Sequence, residues 1–215
     1  MKRLGPVVAL ALMAVQANAQ DARLGRLDRR VQTEIEALLD SARRLGMPTE
    51  PVVDKALEGA AKRAPNERIL VVVRSRFREL IAARSALGSG ATEPELIAAA
   101  DALHGGASAQ VISTLRGRRP NVPLTIPLAV LADLIARGVP ADTASSAVLA
   151  LAATPATDAQ FAALRDDIER DIAKGAPPAI AASVRTRGLP PGARIPTAAE
   201  AASPTGGNAT DVRRP

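Results

Sequence analysis

The chain has 215 residues, 47% of them hydrophobic and 23% charged, with a formal net charge of +6. It contains no cysteine, tryptophan or tyrosine and a single histidine, His104. Disulfides, thiolate metal sites, a cysteine nucleophile and paired-histidine metal binding are therefore excluded, while the length suffices for one medium domain or a short repeat array. Phe77 and Phe161 are the only aromatic residues, so a core must be filled by Ala, Leu, Ile and Val. Alanine favours helices, whereas strands favour β-branched and aromatic residues, and an all-α fold is expected.

Residues 1–19 read as a signal peptide. Lys2 and Arg3 form a positive start, Leu4 to Val15 is a short apolar stretch, and Ala17-Asn18-Ala19 offers small residues for cleavage after Ala19. The mature chain would begin at Gln20, and loss of Lys2 and Arg3 lowers the net charge from +6 to +4. No later stretch reads as transmembrane. The expectation is a soluble bacterial protein in the periplasm or secreted beyond it.

Residues 20–48 form an N-terminal amphipathic segment. Leu24, Leu27, Val31, Ile35, Leu38, Ala42 and Leu45 recur at helical spacing and predict one helix over 22–45, stopped by Gly46 and Pro48. The stripe could cap the domain, or pair with a second copy as a coiled-coil homodimer.

A repeat follows over residues 49–188. Four segments start alike, at Thr49-Glu50-Pro51, Thr92-Glu93-Pro94, Thr125-Ile126-Pro127 and Thr157-Asp158-Ala159. Each Thr is placed to cap a helix, with capping-box spacing from Thr92 to Glu95 and from Thr157 to Gln160. A second turn recurs at Arg63-Ala64-Pro65-Asn66, Gly106-Ala107-Ser108-Ala109, Gly138-Val139-Pro140-Ala141 and Gly175-Ala176-Pro177-Pro178. Glycine there ends one helix and Pro or Ser opens the next. The threonines lie 43, 33 and 32 residues apart, the longer first interval reflecting a second helix expected to run from Asn66 to about Leu87. The pattern predicts an N-terminal helix followed by about four helical hairpins in a solenoid-like or bundle array. Residues 189–215, rich in Pro, Gly, Ala, Ser and Thr, read as a disordered tail.

No catalytic or cofactor motif stands out, and the expectation is a binding protein rather than an enzyme, with no cofactor or metal. Asp166, Asp167, Glu169 and Asp171 could gather a cation or serve as an acid pair, but Arg165 and Arg170 interleave them, which favours a solvated face. Glu58 with Lys62, Asp101 with His104, Asp133 with Arg137 and Asp171 with Lys174 are spaced to pair within single helices. Two basic clusters are candidate anion-binding residues: Arg68, Arg74, Arg76 and Arg78, and then Arg116, Arg118 and Arg119. The alternative is a solvated face whose arginine stems cover apolar surface. Without interleaved aromatics, nucleic acid is disfavoured. The expected partner is an envelope protein or peptide, the alternative an anionic polymer or lipid head group held by the arginine face.

Overall fold

The computed structural model describes residues 23–187. The signal peptide read at 1–19 and the tail read at 189–215 lie outside the described residues. Among the described residues every regular element is helical: α1 Arg29–Arg44, α2 Glu50–Ala61, α3 Asn66–Leu87, α4 Glu93–His104, α5 Ala109–Arg118, α6 Thr125–Ala136, α7 Ala141–Ala152, α8 Asp158–Ala173 and α9 Pro178–Thr186. The protein is all-α, as its composition predicts.

The single helix expected over 22–45 is interrupted. Asp28 accepts a 2.9 Å hydrogen bond from the Arg30 amide and starts α1 afresh, while Leu24 folds back as a buried residue before it. Val31, Ile35, Leu39 and Ala42 form the buried face of α1, which packs on α2 and α3. The apolar seam considered for a coiled-coil homodimer is thus occupied within the chain. Leu45 is its exposed remainder.

Four of the predicted second turns share one backbone geometry, which also closes α1. Gly46, Arg63, Gly106, Gly138 and Gly175 all have positive φ, from 53° at Arg63 to 106° at Gly106. In each, the next residue's amide reaches five positions back: Met47 to Ala42, Ala64 to Gly59, Ala107 to Ala102, Val139 to Leu134 and Ala176 to Asp171, at 2.9–3.0 Å. This is the Schellman closure, which satisfies carbonyls that a helix end leaves open. Arg63 alone fills the left-handed position with a side chain.

The threonine starts are less uniform. Glu95 closes a full capping box on Thr92, and the Gln160 carbonyl accepts from the Thr157 amide at 2.8 Å. Thr49 makes no side-chain cap bond, and Thr125 lies inside α6, whose N-cap is Leu124.

In the packing order, α4, α6 and α8 contact one another in succession, and so do α3, α5, α7 and α9. Within the expected hairpins, α2 packs on α3, α6 on α7 and α8 on α9. α4 and α5 differ: α4 rests on α3 and α6, and α5 on α3 and α7. The physical reason is the 22-residue α3, which at about 33 Å runs past its own segment and serves both. Small residues allow the close approach that the near absence of aromatics requires. A Cβ at Gly59 would lie 2.8 Å from Cγ1 of Ile69, and one at Gly105 would lie 2.9 Å from Cγ2 of Ile135. α7 buries Ala144, Ser145, Ala147, Val148, Leu149, Ala150, Leu151 and Ala152, as a helix enclosed on several sides must.

Candidate interaction surface and the arginine ties beneath it

The arginines proposed as an anion-binding face do not stand together in solvent. Arg76 and Arg119 are buried, at 7% and 8% exposure. Arg76 bridges α3 to α4, with Nη2 2.8 Å from Asp101 and Nη1 3.6 Å from Glu79. Arg119 donates to the Ala156 carbonyl at 2.6 Å, lies 5.2 Å from the Phe161 ring centroid and is 3.7 Å from Asp158. Arg116 and Arg118 are partly buried, Arg118 donating to the Leu149 carbonyl at 2.6 Å. Arg74 is ion-paired with Glu34 of α1. Arg68 and Arg78 are exposed and have no ion-pair partner among the described residues. Neither the anion-binding face nor the solvated face describes Arg76, Arg116 or Arg119. They fasten one helix to another, because a guanidinium can satisfy several acceptors while its stem packs as a hydrophobe.

Glu95 is the centre of the strongest of these ties. It is 3% exposed, and its carboxylate gathers four donors from three places. The Thr92 amide and hydroxyl donate at 2.9 and 3.0 Å, the Leu124 amide at 2.8 Å and Arg116 Nη2 at 2.5 Å. Arg116 also donates to the Val122 carbonyl at 3.2 Å. One carboxylate therefore caps α4, holds the start of α6 and anchors the end of α5. Burial opposes its ionisation, but the two amides and the guanidinium outweigh that and hold its pKa below the usual carboxylate value. The Thr92–Glu95 half was legible in the sequence. The Leu124 and Arg116 contacts were not, because their separations of 29 and 21 residues follow no local rule.

The expected pairs within single helices are largely replaced by pairs between helices. Glu58 does bind Lys62, at 2.6 Å, and with Lys55 on its other side its pKa falls to about 2. His104, however, meets Glu79 of α3 at 2.9 Å, not Asp101. Asp133 binds Arg165 of α8, Arg137 binds Glu169, and Asp171 binds Arg185 of α9. Asp166 and Asp167 are likewise engaged by Arg165, Arg170 and Arg185. Hydrogen bonding from Arg185, against a smaller opposing effect of burial, keeps Asp171 below its ordinary pKa. The acidic cluster is a charge-paired face, and among the described residues no group of three or more His, Asp or Glu side chains is arranged to hold a metal ion.

What the arginines leave uncovered is aliphatic. Val122 and Ile126, at 42% and 38% exposure, flank the start of α6. An open groove of about 470 Å³ is lined by Glu93, Pro94, Ile97, Ala98 and Asp101 of α4 and by Thr125, the residue before Ile126. At the end of the helical series, Ile180 and Val184 stand one turn apart on α9, both at least half exposed. No helix among the described residues is long and apolar enough to cross a membrane. No family model matches the chain, and no curated protein or solved structure matches it either.

Proposed function

We propose that this protein is an exported helical-repeat module of the bacterial envelope that binds a protein or an extended peptide. The arrangement proposed is an N-terminal helix capping a four-unit helical array, with α4, α6 and α8 as one row, α3, α5, α7 and α9 as the other, and α2 paired with α3 at its start. Export rests on the signal-peptide pattern of residues 1–19. The observation that carries the binding role is the α4–α6 groove. Its apolar floor of Pro94, Ile97 and Ala98 lies between two carboxylates, Glu93 and Asp101, and Ile126 follows its Thr125 wall. Stacked helices characteristically present extended surfaces of this kind, and a peptide gains apolar burial there without an enclosed pocket. Asp101 is already engaged by Arg76, and Glu93 favours a segment that carries a basic residue beside its apolar ones.

The second reading, attachment to anionic envelope components through an arginine face, draws on Arg68, Arg74 and Arg78. The internal engagement of Arg76, Arg116, Arg118 and Arg119 weakens it.

The test is capture of partners from envelope extract by the full chain, with washes at low salt and at about half-molar salt, where screening shortens to a few ångströms. A discrete protein that survives the high-salt wash and is lost in Ile97→Asp and Ile126→Asp supports the groove. Material that elutes with salt and depends on Arg68 and Arg78 instead favours the second reading. Capture indifferent to all four substitutions refutes both.

A further inference from the structure

A second groove, of about 690 Å³, lies at the opposite end of the helical series, between the segment preceding α1 and the last turns of α2. Its lining is Leu57, Ala60 and Ala61, with Arg23 and Arg26 at the rim. Its volume falls in the range of small-molecule sites, and its composition is an aliphatic floor beside guanidinium groups.

The charges around it are unequally engaged. Arg23 is neutralised by Glu50 at 2.9 Å, and Lys62 by Glu58. Arg26 is exposed and has no ion-pair partner among the described residues, and the same holds for Arg63, two residues beyond the lining residue Ala61. The last carbonyls of α2 do not compete for cations there, since Ala60 O and Gly59 O accept from the Arg63 and Ala64 amides at 2.9 and 3.0 Å.

Arg63 supplies an independent observation. Its φ of 53° is the left-handed conformation that glycine fills at Gly106, Gly138 and Gly175, the three corresponding turns. A side chain in that conformation is strained, and where a local rule is broken the compensation is sought in function. Arginine stands in glycine's place at the turn that follows the lining residue Ala61.

We infer that this groove binds a single-chain anionic amphiphile, its alkyl chain on Leu57, Ala60 and Ala61 and its carboxylate or phosphate held by Arg26 and Arg63. A guanidinium fork matches either head group, and the aliphatic floor accepts the chain. This inference is independent of the α4–α6 surface and stands if that surface binds nothing.

The experiment is calorimetric titration of the full chain with monomeric dodecanoate and dodecyl phosphate, alongside inorganic phosphate and dodecanol. Both amphiphiles are expected to bind saturably at one per chain, and phosphate and dodecanol about tenfold or more weaker, since each lacks half of the recognition. Arg26→Gln should weaken binding about tenfold by removing a charge-assisted hydrogen bond. Arg63→Gly should weaken binding while raising the thermal midpoint by about 2–4 °C, because relief of backbone strain and loss of the anion contact act in opposite directions. Vesicles of phosphatidylcholine with phosphatidylglycerol distinguish the source. Vesicle association that dodecyl phosphate competes away assigns a membrane lipid, and titration by monomers alone assigns a free amphiphile. Equal affinity in wild type, Arg26→Gln and Arg63→Gly overturns the inference, as does an affinity for dodecanol equal to that for dodecanoate.

Discussion

The junction joining α4, α5 and α6 and the junction joining α6, α8 and α9 use the same chemistry to opposite ends. Both are arginine–carboxylate ties between helices. In the first, Glu95 is almost wholly enclosed and its contacts are directed at specific backbone and side-chain partners, and the equally enclosed Arg119 extends the junction from the end of α5 to the start of α8. In the second, Arg137, Arg165 and Arg185 reach Glu169, Asp133 and Asp171 across the surface, with one or both partners substantially in water. Burial determines what such a pair is worth. An enclosed ion whose partner is removed keeps its desolvation cost, whereas an exposed one is simply rehydrated. The first junction is therefore expected to be a point of failure and the second a set of adjustable contacts.

The largest test of that contrast is Glu95→Ala. It leaves the Leu124 amide and the Arg116 guanidinium without their acceptor inside the protein, and a loss of about 3–5 kcal/mol is expected in urea unfolding. A loss of less than about 1 kcal/mol would mean that water replaces the carboxylate and that the junction is not closed. The same residue sets an acid limit. Its folded pKa lies below the unfolded value, so its contribution is fully present above the unfolded pKa, about 4.3, and is lost as pH falls through the lower folded value. Unfolding midpoints measured between pH 6 and pH 3 should fall, and Glu95→Gln should flatten that descent.

Next in size is Arg119→Ala, which removes the donor to Ala156 O and the cation over Phe161. The expected cost is about 2–3 kcal/mol, by the same urea titration. Gly175→Ala examines the helix closures without disturbing packing, since a Cβ there meets nothing within 4 Å while φ is 94°. Strain of about 1–2 kcal/mol should appear as a lowered thermal midpoint. The smallest effects belong to the surface pairs. Arg185→Gln and Glu58→Gln should leave the midpoint unchanged in half-molar salt, although Glu58 has its pKa pulled to about 2. A clear drop in Arg185→Gln would remove the distinction between the two junctions, and one in Glu58→Gln would remove that between enclosed and exposed pairs.

The fate of the seven candidate arginines shows why the site was less legible than the fold. Charge and spacing place Arg74 and Arg78 on one side of α3, and both do stand on its exposed surface. The same spacing gives no hint that Arg76 between them turns inward to Asp101. That outcome depends on α4 lying alongside, a contact set by the length of α3. The Asp101–His104 spacing failed for the same reason. Glu79 on a neighbouring helix offered His104 a closer partner than its own helix did.

Local chemistry in the sequence determined the all-helical character, the turn positions and the helix starts at Thr92 and Thr157, because propensity, glycine closure and capping act within a few residues. Composition also determined that the core would be aliphatic and close-packed. Only the tertiary structure decided which charged residues are interior. It filled the apolar seam of α1 from within the chain and made Glu95 the meeting point of three helices. Those outcomes rest on distances between residues 21 to 40 positions apart, which depend on how helices of particular lengths stack.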